Sequence, residues 1–132
     1  MTSLDTNQEN RKRDQSYLTS HKRVVPAMLA LLESGRVRLD GLLCPGHVSV
    51  IIGAEPYRPI VEGYGLPCVI GGFEDAHLTA ALARLAELAA DRRAELVNQY
   101  PEAVSPHGNA VALELLDRMF KPVPMRWRGL GE

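Results

Sequence analysis

Two short apolar runs, each closed by glycine, constrain the fold of this chain more than any other feature. Leu39–Cys44 reads LDGLLC and runs into Pro45-Gly46, and Pro67–Phe73 reads PCVIGGF. Strands of a parallel sheet are covered on both faces and read as short apolar runs, whereas a half-exposed antiparallel strand alternates apolar and polar residues. The two runs therefore predict buried strands of a small parallel sheet.

Segments with helical periodicity precede, separate and follow the two runs. A helix from Val24 to Gly35 is predicted to place four apolar side chains on one face: Val25, Met28, Leu29 and Leu32. Pro56–Gly65 is predicted as a short helix that Gly65 ends. One long helix is predicted over Leu78–Tyr100, stopped by Pro101 and with an apolar stripe of Leu78, Leu82, Leu85, Ala89 and Leu96.

The last amphipathic segment, SPHGNAVALELLDRMF, predicts a helix with Ala112, Leu115, Leu116 and Met119 turned inward. Short strands are also predicted at Tyr17–Thr19 and Met125–Gly131. The alternation predicts an α/β fold: a small three-layer structure with about three or four parallel strands flanked by helices. It is Rossmann-like, but neither GxGxxG nor GxxxxGK[ST] is present, so the sequence has no nucleotide fingerprint.

Composition limits the classes of function. The 132 residues predict a flexible polar tail over 1–16 and a single α/β domain over 17–132. A net charge of −1 gives no electrostatic footprint for nucleic acid. The beginning of the chain lacks the apolar core of a signal peptide, and no apolar run is long enough to span a membrane. Two cysteines without CxxC spacing are typical of free thiols in a reducing compartment, so we expect a cytoplasmic protein.

The predicted strand ends are where a ligand would bind, because open α/β sheets bind ligands beyond the carboxyl ends of their strands. The candidates for a ligand-binding cleft are Pro45, Gly46, His47, Val48, Ser49, Gly72, Phe73 and Glu74. Glu74 and Asp75 have a second interpretation, as negative charges that stabilise the N-terminus of the next helix. No residue is assigned a catalytic role.

A metal site is a weaker hypothesis. Cys44 and His47 have CxxH spacing, and Cys68 with His77 would complete a set of four zinc ligands. Ordinary buried thiols are common, however, and Cys68 precedes the end of its predicted strand. Cys44 and His47 therefore remain metal-ligand candidates beside the interpretation that both cysteines belong to the core.

Five segments in order resemble the HypD-type [NiFe]-hydrogenase maturation proteins: SHKRVVPAMLALL, PGHVSVIIGAEPYRPIVEGYGLPCVIGGFE, NQY, GNAVALELL and WRGLG. The resemblance runs from about Tyr17 to Glu132 and indicates the second α/β domain of such proteins. It implies that Pro45–Ser49 is a signature loop facing a central cleft. It further implies assembly of an iron centre carrying cyanide and carbon monoxide, with a HypC-type chaperone and a HypE-type cyanide donor as partners.

The chain also departs from this family. The family's iron-binding Cys/His motif and the cysteines of its [4Fe-4S] cluster have no counterpart here, and Cys44 stands where glycine is usual. Asp75-Ala76-His77 replaces the usual Pro-Leu-Asp. The resemblance therefore implies a truncated or split maturation scaffold, not competent alone and not a complete enzyme, that needs a polypeptide carrying the missing regions. The alternatives are a stand-alone small-ligand or metal-binding domain that repurposed the Cys44/His47 loop, and a folded remnant without function.

Overall fold

A computed structural model of the chain describes residues 22–124 and 126–128. The predicted tail over 1–16 and the predicted strand at Tyr17–Thr19 lie outside the described residues, as does most of Met125–Gly131. The helices are α1 (Val24–Glu33), α2 (Gly46–Ile52), α3 (Arg58–Tyr64), α4 (Asp75–Ala90) and α5 (Ala110–Met119), with a 3-10 turn at Glu55–Tyr57. The strands are β1 (Leu42–Pro45), β2 (Cys68–Gly71) and β3 (Leu96–Asn98).

The three strands form one parallel sheet in the order β1-β2-β3, which confirms the predicted α/β class. In the register, Leu42 lies opposite Cys68 and Pro45 opposite Gly71, while Ile70 lies opposite Asn98. All three carboxyl ends consequently meet at one edge of the sheet. None of the helices within residues 22–124 and 126–128 has the length and apolar character needed to cross a membrane.

Successive side chains of a strand point to opposite faces of the sheet. Helices cover both of these faces. On one face, Cys68 and Ile70 of β2 pack with Tyr57 and Ile60 and with the apolar side of α1. On the other face, Val69 packs with α4. The strands lie side by side in chain order, and the connection from β1 to β2 covers one face of the sheet while the connection from β2 to β3 covers the other. The two crossover connections therefore have opposite hands. One of them is the rare left-handed form.

Two of the predicted helices have the expected packing and ends. The predicted α1 face packs on the core through Val25, Met28, Leu29 and Leu32. Gly35 follows this helix with a φ of 63°, and Gly65 ends α3 with a φ of 65°. This left-handed conformation costs glycine least, since it has no Cβ to meet the following carbonyl oxygen.

The predicted long helix over Leu78–Tyr100 is wrong. The helix α4 ends at Ala90, the chain reverses through Arg92 at a φ of 52°, and the rest of the predicted helix contains β3. The reversal is fastened by Glu95, whose carboxylate accepts hydrogen bonds from Arg84 of α4 and from Arg93. No glycine or proline marks this turn in the sequence. Leu96 also matches the helical spacing of the preceding apolar residues, so it was assigned to the helix although it belongs to β3.

The inward faces predicted for the later helices are also partly wrong. In α4 the buried residues are Ala81 and Leu88, with Leu85 partly buried, whereas Leu78 and Leu82 are exposed. In α5 the predicted inward side chains Leu115, Leu116 and Met119 are exposed. An apolar stripe identifies one side of a helix but does not say which neighbour covers it, and in α5 the described residues leave that side to solvent.

Backbone contact between two glycines attaches α5 to the C-terminal end of α2. Gly53 follows α2 at a φ of 85°, and Gly108 precedes α5 at a φ of 72°. A Cβ on Gly108 would overlap the Ile51 carbonyl oxygen and the Gly53 nitrogen. The Asn109 N–H donates to that carbonyl at 2.9 Å, and the Asn109 side chain caps α5 by accepting from Ala112 N at 3.0 Å. Only residues without a Cβ allow this approach.

Among the described residues, Tyr57 is the largest fully buried side chain. Ser49 Oγ donates to the Pro45 carbonyl at 2.7 Å and lies 3.0 Å from the Tyr57 hydroxyl, which therefore donates to Ser49. Burial raises the pKa of Tyr57 to about 12. The folded protein therefore keeps this proton at pH values where the unfolded chain, with a tyrosine pKa of about 10, has lost it.

We expect the stability that Tyr57 contributes to disappear in strong alkali. When folding raises the pKa of a tyrosine, its contribution to the free energy of unfolding is complete at pH values below the pKa of tyrosine in the unfolded chain. That contribution is lost as the pH rises from about 10 towards 12. At pH 8 the Tyr57→Phe variant should be less stable by about 1 kcal/mol, the usual value of one hydrogen bond. Urea unfolding of both proteins at pH 8 and pH 11 measures the difference, which should shrink at the higher pH. An unchanged difference would mean that the pKa of Tyr57 is ordinary.

Candidate functional site

Two loops meet at the carboxyl edge of the sheet, and they contain the predicted cleft residues. Chain direction and register place Pro45 beside Gly71, so Gly46-His47 after β1 and Gly72-Phe73 after β2 emerge side by side. The imidazole of His47 and the ring of Phe73 lie with centroids 4.5 Å apart and planes inclined by 42°. Both side chains are exposed, and Phe73 retains 61% of its surface.

Gly46 permits this close approach. A Cβ on Gly46 would lie 2.5 Å from the Gly71 carbonyl oxygen and 3.0 Å from Tyr100 Cδ1. Pro45 stays extended and α2 begins directly at Gly46. The proline-glycine pair thus turns strand into helix within two residues and holds His47 at the rim.

A shallow apolar pocket of about 160 Å³ lies beside this rim. It is lined by Leu43, Cys44, Pro45, Gly71, Gly72, Phe73 and Leu78. The pocket is open to solvent on one side, and its walls are mostly apolar. The pocket therefore suits one apolar group, such as a large side chain of another protein.

Two of the predicted cleft residues have other positions. Ser49 is buried and holds Tyr57, so it does not face the cleft. Glu74 is the N-cap residue of α4 with an extended backbone, and Asp75 lies in the first turn. Their placement at a helix N-terminus is the arrangement in which negative charge opposes the helix dipole favourably.

A second polar cluster lies behind Gly72. His77 Nε2 is 3.2 Å from Glu102 Oε1, and the His77 ring lies 5.1 Å from the ring of Tyr100. His77 Nδ1 is buried and has no hydrogen-bond partner within the described part of the chain. A Cβ on Gly72 would come within 2.7 Å of this nitrogen, so glycine is what allows the histidine to sit against β2.

The segment after β3 completes this cluster; NQY in this segment carries part of the family resemblance, but no role in the site was predicted for it from the sequence. The Asn98 side chain donates to the Val104 carbonyl at 2.8 Å and accepts from Tyr100 N at 3.0 Å. This double contact fixes Tyr100 between Gly46 and His77. The signal was the polar sequence Asn-Gln-Tyr-Pro after an apolar pair, but it was hidden by the wrong assignment of this stretch to a helix.

The cysteines belong to the core. Cys44 and Cys68 are free, buried thiols on the same face of neighbouring strands. A hydrogen bond with Cys68 and, secondly, burial raise the pKa of Cys44 far above its ordinary value, so this thiol stays protonated. Thiolate is the form that binds metals, so protonation disfavours Cys44 as a ligand.

The four proposed zinc ligands are not brought together. Cys68 is buried at the beginning of β2, His77 lies beyond its end, and His47 is exposed against Phe73. Within residues 22–124 and 126–128, no group of three or more histidine, cysteine, aspartate or glutamate side chains could hold a metal ion. A [4Fe-4S] cluster needs four cysteine thiolates, and the sequence has two cysteines.

Comparison with known proteins gives one consistent result. The family model described as "HypD: Hydrogenase formation hypA family" matches residues 1–132. The hydrogenase maturation factor HypD of Rhodobacter capsulatus is 40% identical over 118 residues, which cover 89% of this chain and 31% of that protein. A putative hydrogenase expression/formation protein of Methanocaldococcus jannaschii is 37% identical over 112 residues, covering 85% and 31%. The chain thus spans about a third of the length of these relatives.

Proposed function

The chain belongs to the HypD family of hydrogenase formation proteins, and from this premise we propose that it forms one wall of the cleft in which the iron centre of [NiFe]-hydrogenase is assembled. The supporting observation is the meeting of two loops at the carboxyl edge of the sheet. The stretch Pro45–Ser49, which resembles the family's signature loop, presents His47 there in contact with Phe73. A ring pair beside an apolar pocket is a surface for recognition by another molecule.

In this proposal the iron, with its cyanide and carbon monoxide ligands, is cargo. The described residues include no cluster of side chains to grip it, and Cys44 and Cys68 face the core. The gripping groups and any iron–sulfur cluster would come from a polypeptide carrying the other HypD-type regions. A HypC-type chaperone would bring the iron and a HypE-type protein the cyanide. Two free thiols are consistent with work in the cytoplasm.

The exposed His47–Phe73 pair and the pocket beside it form the surface that we assign to the HypC-type chaperone. Exposed aromatic side chains at an apolar pocket are typical anchors of protein interfaces. Phe73 contacts the His47 ring and leaves 61% of its surface exposed, so its removal should leave the core intact. The stand-alone metal-binding alternative receives no comparable support, because His47 and Cys44 are directed to different environments.

The Phe73→Ala variant should weaken binding of a purified HypC-type chaperone by at least about tenfold, the loss typical of an aromatic anchor. Its melting temperature should stay within about 1 °C of the parent, because 61% of the side chain is already exposed. Isothermal titration calorimetry with the 132-residue chain measures the affinity.

The matched control is Tyr64→Ala. Tyr64 is an exposed aromatic residue at the end of α3, before β2 begins, so it lies at the opposite edge of the sheet. Its removal should leave chaperone binding unchanged. Equal affinity of the parent and Phe73→Ala, or no binding by the parent at high micromolar concentration, would refute the proposed surface.

A further inference from the structure

The helix α5 presents an apolar stripe to solvent. Val111, Leu115 and Met119 recur at intervals of four residues, so they lie on one side of the helix. We call these three residues the α5 stripe. Their exposed fractions are 68%, 51% and 70%, and Val123 beyond the helix is 63% exposed. None of the residues of α5 is buried.

The stripe does not hold α5 in place. A helix of ten residues is marginal in water by itself, and amphipathic helices usually gain stability by burying the apolar side. Here the fixed points are the Gly53–Gly108 backbone contact, the Asn109 N–H bonded to Ile51, and the Asn109 cap. The backbone therefore sets the position of the helix, and the stripe is left available for another surface.

Charged residues flank and oppose the stripe. Asp117 is exposed on the side of α5 opposite the stripe. Glu114 and Arg118 form an ion pair at 3.8 Å along one flank of the stripe, because Arg118 is seven residues from Val111 and three from Leu115. This arrangement predicts docking of a partner along the stripe, with charged groups at the rim of the contact.

A second copy of the chain does not account well for the stripe. A helix of ten residues is about 15 Å long and, with side chains, about 10–12 Å wide. A stable dimer buries roughly 800 Å² on each partner, far more than such a strip can offer. Contacts between parts of one folded unit can be smaller, because the parts are held together by further contacts.

The relatives supply a different occupant. This chain covers 31% of the Rhodobacter capsulatus HypD and 32% of the Azotobacter chroococcum HupD, so about two thirds of each relative lies outside the shared region. We propose that the α5 stripe docks a HypD-type segment from outside that shared region, through an apolar surface of helix length. The inference rests on the proposed function in that the remaining regions must act together with this chain.

The test uses the tagged 132-residue chain co-expressed with the Rhodobacter capsulatus HypD from which the shared region has been deleted, a protein that circular dichroism must first show to be folded. The parent chain should retain this protein on an affinity column. The Leu115→Lys variant should retain at least about tenfold less, because a charge would be buried in the contact. Asp117→Lys is the matched control: it places the same residue two positions away, on the side of α5 opposite the stripe, and should retain as much as the parent.

Thermal unfolding of the 132-residue variants excludes a trivial cause, since Leu115→Lys should melt within about 2 °C of Asp117→Lys. Retention by Leu115→Lys equal to that by the parent would overturn the inference, as would no retention by the parent. A parent chain that dimerises by analytical ultracentrifugation, with dimerisation lost in Leu115→Lys, would overturn it in favour of a second copy. Chaperone binding through Phe73 is measured without the co-expressed protein, so failure here leaves that result standing.

Discussion

The Gly108→Ala variant should lower the free energy of unfolding by about 2–4 kcal/mol, a large part of the 5–15 kcal/mol typical of a domain. The positive φ contributes about 1 kcal/mol, because an L side chain then approaches the following carbonyl. The remaining 1–3 kcal/mol comes from overlap of the new Cβ with the Ile51 carbonyl and the Gly53 nitrogen. Both of these are backbone atoms, so no side-chain rotation relieves the overlap. Urea unfolding followed by circular dichroism measures the loss.

Gly35→Ala separates the two contributions. Gly35 has a φ of 63°, close to that of Gly108, but no heavy atom lies within 4 Å of the position that its Cβ would take. We expect this control to lose only about 1 kcal/mol. Equal losses for the two variants would mean that the backbone contact between Gly53 and Gly108 is not tight in solution.

The Ile70→Ala variant should lose about 2–5 kcal/mol, the range for truncating a buried isoleucine. Ile70 lies in the central strand, is fully buried and packs in one cluster with Cys44, Tyr57 and Ile60. Strands on both sides of β2 prevent the sheet from collapsing into the space left behind. Loss of stability should also reduce the folded fraction at 37 °C, visible by circular dichroism.

Val111→Ala is the comparison for this core truncation. It also shortens a β-branched residue to alanine, but Val111 is 68% exposed on α5. Its effect should stay within about 0.5 kcal/mol, and alanine's higher helix propensity could make it slightly stabilising. A loss above 1.5 kcal/mol would contradict the exposed placement of the α5 stripe.

Local signals in the sequence determined much of the fold. The apolar runs around Leu42 and Val69 gave two of the three strands, and Gly65 marked the end of α3 as expected. The third strand escaped because Leu96 matches the spacing of the preceding helix and the reversal uses Arg92, an arginine in a glycine-like conformation. Propensity is a weak indicator at such points, since tertiary contacts override it.

The site was predictable where it follows from topology. Adjacent parallel strands had to bring Gly46 and Gly72 together, whereas the contacts of His77 with Tyr100 and Glu102 depend on the position of β3. The buried thiols show the same limit: CxxH spacing left open whether Cys44 faces a cleft or the core, and only its packing in one buried cluster with Cys68 and Ile70 decides it. The chaperone surface and the compartment stay predictions.

The parallel sheet described above also governs how the chain acquires its structure. No two strands are joined by a hairpin. The pairing of Leu42 with Cys68 closes a loop that contains α2 and α3, and the pairing of Cys68 with Leu96 closes a loop that contains α4. Closing such loops costs entropy before any pairing repays it, and chains with distant contacts fold slowly. During synthesis on the ribosome β2 therefore stays incomplete until β3 has emerged, and its apolar side chains stay open to chaperones or aggregation in that interval.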